Sequence, residues 1–147
     1  MYKRILVATD GSKLSAKAVK HAVGLARATG AHLYVFHGRP PYPTPYFGET
    51  LAVPASAVKA YEAKTRAVAR QVLDDVADQA RRAGIEFTGL EKESFAPADD
   101  IAELVGKHKC DLVVMASHGR RGLKRLLVGS ETNAVITHSR VPVLVVR

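Results

Sequence analysis

Cysteine is almost absent: Cys110 stands alone among 147 residues, so no internal disulfide can form and no cysteine pair offers a zinc site. Aromatic residues are scarce at 6%, and none is interleaved with the cations. That argues against the stacking surfaces that bind unpaired nucleic acid. No apolar run approaches the ~20 residues a membrane span needs. The opening MYKRILVATDGS reads directly as a strand, with too short an apolar stretch for a signal peptide, so a reducing, cytoplasmic setting is expected. Two phosphate-binding signatures are also missing. There is no GxxxxGK[ST] and no GxGxxG after the first strand, nor the HxGH or SGGxDS of adenylate-forming enzymes. Acids are the minority charge, 14 against 22 Lys and Arg, for a net +8. The surplus favours acidic partners, from nucleotides to nucleic acid. The cations are dispersed, however (Lys3-Arg4, Arg81-Arg82, Arg120 to Arg125), which ranks nucleic acid below a nucleotide.

What is present alternates regularly. RILVAT, AHLYVFH, DLVVMA and VPVLVV are short apolar runs of the kind buried on both faces. A more polar strand is expected over 85–93, towards an edge. Between the strands lie helical patterns. One runs from about Lys13 to Ala28, capped by Ser12 and closed by Gly30. A second runs from about Ala55 to Ala83 through Val58, Tyr61, Val68, Val72 and Val76, ending at Gly84. A third is opened by Pro97, and a short fourth spans Ser130 to Ser139. Residues 38–54 carry five of the seven prolines and read as a long loop, either a lid or a plain connector. The pattern β-α-β-α-β-α-β-α-β implies one domain, an open, doubly wound parallel α/β sheet with helices on both faces.

In such sheets ligands sit beyond the carboxyl ends of the strands, where the strand order reverses. Two turns there carry unusual chemistry. Thr9-Asp10-Gly11-Ser12 follows the first strand, and a stretch rich in glycine and cations follows the fourth. Asp10 suits an Asx-turn, ribose hydroxyls or a magnesium ion. Gly119 and Gly129 are either ordinary turn glycines, with Ser130 a plain N-cap, or they let backbone pass close to a ligand and open a helix whose free N–H groups favour an anion. Arg120, Arg121, Lys124 and Arg125 form either a solvated loop or a cluster that attracts phosphates there. His118 has no partner set that supports a general-base role and is read as a positioning residue or as one with no role. His37 reads as a packed strand-end residue, and Cys110 as a small buried hydrophobe.

Over its whole length the chain resembles the universal stress protein family, in ILVATDGS, DLVVMASHG and the closing VPVLVV. Nucleotide-binding members carry G-x-x-G-x(9)-G-[ST] after strand four; here Gly119, nine residues and Gly129-Ser130 match, with Ala116 in place of the first glycine. The resemblance implies a five-stranded sheet of order 3-2-1-4-5 and an adenine nucleotide, ATP or AMP, possibly with magnesium held through Asp10. It matches Ala8, Thr9 and Asp10 to the adenosine-side turn and Gly38 to the adenine edge. Met115 and Ala116 then line the cleft floor, and His118, Gly119, Arg120, Gly129, Ser130 and Glu131 the phosphate side. It also implies a homodimer through Val141–Val146, an apolar edge strand that needs a partner. The expected role is a stress-response regulator with slow or no hydrolysis, there being no phosphate-gripping lysine or evident water-activating base. A nucleotide-free module acting through a protein partner is the alternative, and a weak ATPase the lesser one.

Overall fold

The computed structural model describes residues 1–43, 53–119 and 128–147. The central part of the proline-rich loop and the cations Arg120, Arg121, Lys124 and Arg125 lie outside the described residues. Nine elements alternate: β1 (Arg4–Ala8), α1 (Lys13–Thr29), β2 (His32–Arg39), α2 (Ala55–Ala83), β3 (Phe87–Glu93), α3 (Pro97–His108), β4 (Leu112–Ala116), α4 (Ser130–His138) and β5 (Val143–Val146). The sheet is wholly parallel in the order β3-β2-β1-β4-β5.

Local chemistry sets the boundaries. The Ser12 hydroxyl accepts the Ser15 N–H and caps α1, while Gly30 ends it at φ 69°. Pro97 stands in the first turn of α3, with Asp99 and Asp100 beside it and Lys107 and His108 in the last turn. These charges complement the helix dipole at both ends. Lys109 closes α3 in the left-handed region at φ 52°, where a glycine is usual. β3 starts later than expected because the Ile85 N–H donates to Ala80 O and so belongs to the end of α2. β5 starts at Val143 because Pro142 has no N–H for the ladder; its carbonyl accepts from Val113 instead.

Alternation along the strands makes two cores. Ile5, Val7, Leu33, Val35 and Val114 point to α1 and α2 and pack on Ala18, Ala22 and Val76. Leu6, Phe36, Val113 and Met115 point the other way, onto Ile101 and Leu104 of α3 and Val135 of α4. The 29-residue α2 differs from the sequence pattern in its buried face. Ala69, Val76 and Ala80 are its buried residues, whereas Val68 is 39% exposed. The alanines let that helix lie close on the sheet, and nothing upstream of Ala69 in it is buried.

Candidate functional site

Because β1 and β4 pair directly, with Val7 opposite Val114, the turns that follow them open side by side. The first turn is fully tied down. Asp10 Oδ1 accepts the Ser12 N–H at 2.9 Å, an Asx-turn, and Gly11 takes φ 77°. The Thr9 hydroxyl meets Ser15 Oγ at 2.9 Å, and its amide donates to Phe36 O. The His37 ring reaches Thr9 O at 3.0 Å, so this buried histidine braces the turn from β2.

The second turn closes on the first. A Cβ placed on Gly119 would stand 2.8 Å from Asp10 Oδ2, so only glycine fits there without displacing the carboxylate. Gly129 donates to Ser117 O at 2.7 Å and packs against the His118 backbone. The His118 ring lies 3.2 Å from Ser117 Oγ. Gly129, not Ser130, occupies the N-cap of α4, with no side-chain cap; Ser130 is the first helical residue and is exposed. The first turn of a helix carries amide N–H groups without intrahelical partners at its positive end.

Strand parity sorts the remaining positions. Ala8 and Met115 join the core beneath α3 and α4. Ala116 packs into the opposite core, towards α1, and its carbonyl accepts from the buried Thr132 hydroxyl at 2.9 Å. Gly38 lies inside β2, paired in register with Lys92, rather than just beyond the strand end. A Cβ on Gly38 would come within 2.9 Å of Ser94 Cβ. Ser94 in turn hydrogen-bonds Asp100, whose other oxygen takes Lys92 Nζ at 2.6 Å. The Lys92 ammonium is held above its usual range by the hydrogen bonds it donates to Asp100 and Glu103. Glu131 accepts the Ala98 N–H and so ties the start of α4 to the start of α3.

Thus Ala8, Asp10, Gly38, Met115, Gly119, Gly129, Ser130 and Glu131 all stand at the carboxyl end of the sheet. Arg120 lies outside the described residues. Ser94, Thr132 and Ser15 were not singled out from the sequence; each acts through a tertiary contact. Among the described residues no group of three His, Cys, Asp or Glu side chains stands close enough to hold a metal ion. None of their helices is long and apolar enough to cross a membrane.

The open parallel sheet brings two glycine-bearing turns together at its switch point, the place where ligands sit in α/β domains of this kind. Residues 1–147 match the model of the Universal stress protein family, and the chain belongs to that family. A universal stress protein of Thermus aquaticus is 32% identical over 152 residues, spanning all of both chains. One from Methanocaldococcus jannaschii is 32% identical over all of this chain and 83% of its own. A universal stress protein solved in complex with cAMP is 30% identical, with a TM-score of 0.69 over 99% of this chain and 97% of that one.

Proposed function

We propose that the chain binds an adenine nucleotide between the β1 and β4 turns, as a regulatory ligand in a stress response. The observation that carries this is the apposition of Gly119 and Asp10, where a Cβ on Gly119 would come against the Asp10 carboxylate. The cAMP-bound relative supports the ligand class. In this reading adenosine lies over Ala8, Gly38 and Met115, with Asp10 accepting from the ribose hydroxyls. Phosphates meet Gly119 and the uncapped start of α4 at Gly129 and Ser130. His118 flanks them. Asp10 is the residue that would offer a carboxylate to a magnesium ion brought with the phosphates. Glu131 is drawn away from the phosphates by its bond to Ala98.

The Ala116 methyl group joins the α1-side core instead of the Ala8–Met115 face, which supports nucleotide binding over the nucleotide-free module. The role is regulatory rather than hydrolytic, since the chain carries no phosphate-loop lysine. Dimerisation through β5 belongs to the same proposal: Leu144 on that edge is 37% exposed. Cytoplasmic residence belongs to it as well. The test is calorimetric titration of ATP and AMP, with magnesium, into protein refolded to remove carried-over ligand. One nucleotide per chain is expected, weakened roughly 10- to 100-fold in Gly119→Val as hydrogen-bonded contacts are lost. Phosphate release should stay at background. No binding at millimolar nucleotide would move the function to protein partners.

A further inference from the structure

We infer that the outer face between α3 and α4 holds a second site, for a free long-chain aliphatic carboxylate. A groove of about 510 Å³ runs there, within the range of small-molecule pockets. Ile101, Val105, Val135 and Val141 line its walls, and the buried Cys110 its floor. Two small residues of α3, Ala102 and Gly106, keep it open. A Cβ on Gly106 would meet nothing within 4 Å. Glycine weakens a helix interior relative to alanine, so steric need does not explain it on the packing side.

The groove is polar at one end only. Lys109, His138 and Arg140 gather where α3 and α4 finish, and no carboxylate pairs with Lys109 or Arg140 among the described residues. Cations at helix C-termini complement the dipoles. That accounts for their sign but not for two helices bringing them to one mouth of an apolar channel. From Ala98 to Lys109 α3 rises about 16 Å, room for an extended dodecyl chain. An apolar length ending in a cationic cluster matches a chain with one anionic head.

The experiment is calorimetric titration of dodecanoate, below its micelle concentration, into the full chain. Dodecyltrimethylammonium and anionic phospholipid vesicles serve as comparisons. One dodecanoate per chain is expected, with the cationic analogue at least tenfold weaker. Gly106→Leu should keep its fold by circular dichroism and melt no lower than the parent, yet lose dodecanoate at least tenfold; Lys109→Glu with Arg140→Glu should keep its fold and lose dodecanoate likewise. Any one of four results overturns the site: no dodecanoate binding, equal affinity for the cationic analogue, binding untouched by Gly106→Leu, or vesicle binding alone. A change of mass by sedimentation in Gly106→Leu, without dodecanoate binding by the parent, would assign the face to a second copy and also overturn it.

Discussion

The two faces of the sheet are built to different standards. Towards α1 and α2, fourteen buried residues form one cluster; towards α3 and α4, eight do, among the described residues. The denser side carries only alanines, valines and a few larger aliphatics, with two long helices laid close. The sparser side carries Ala8 and Met115 of the cleft floor, the Gly38–Ser94 contact and the α3–α4 groove. The larger groove, about 510 Å³ against about 250 Å³ beside α2 and β3, lies on the sparser face.

The sharpest way to break this comparison is to truncate one leucine on each face. Leu33 is fully buried against α1 and α2, and Leu104 lies 7% exposed in the other core. Leu33→Ala should cost about 4 kcal/mol and Leu104→Ala about 2 kcal/mol, the upper and lower parts of the range for such cavities. Urea unfolding measures both, and equal losses would abolish the distinction.

A smaller effect is expected where the faces meet the cleft. Gly38→Ala brings a Cβ against Ser94, whose neighbours Asp100 and Lys92 hold it in place. The cost should be about 1–2 kcal/mol by overpacking. Ser94→Gly in the same chain should recover most of it, read as a coupling in a double-mutant cycle. Additive losses would mean that Ser94 does not confine Gly38.

The smallest effect concerns Cys110, whose thiol burial pushes from 9.0 up to about 11. The unfolded thiol ionises first, so its contribution to stability is complete below pH 9 and fades as pH climbs towards 11. The difference in urea midpoint between the parent and Cys110→Ala should therefore shrink across that window. A difference independent of pH would show that water already reaches the groove floor.

Most element boundaries were legible because single residues set them. Ser12, Gly30, Gly84 and Pro97 each act within one turn of chain, and the structure uses each as read. The buried face of α2 was not legible: alanines contribute little contrast, so valines drew the stripe, and Val68 proved exposed while Ala69 is buried. β2 runs on to a buried Arg39 because Glu91, far away in sequence, pairs with its guanidinium. In the site, Asp10, Gly119 and Gly129 announced themselves as turn residues. The bonds from Thr132 to Ala116 and from Ala98 to Glu131 join distant segments and left no local trace.

The length of α2 has a consequence of its own. At 29 residues it rises about 44 Å, against roughly 26 Å for the eight-residue β2. Its burial begins only at Ala69; upstream, among the described residues, Tyr61 donates to Pro41 O and meets the Tyr42 ring edge-on. One continuous helix therefore spans two regimes of amide protection. Downstream of Ala69 its amides exchange only when the sheet opens; upstream they exchange whenever the overhang frays, and the fold stays intact while they do.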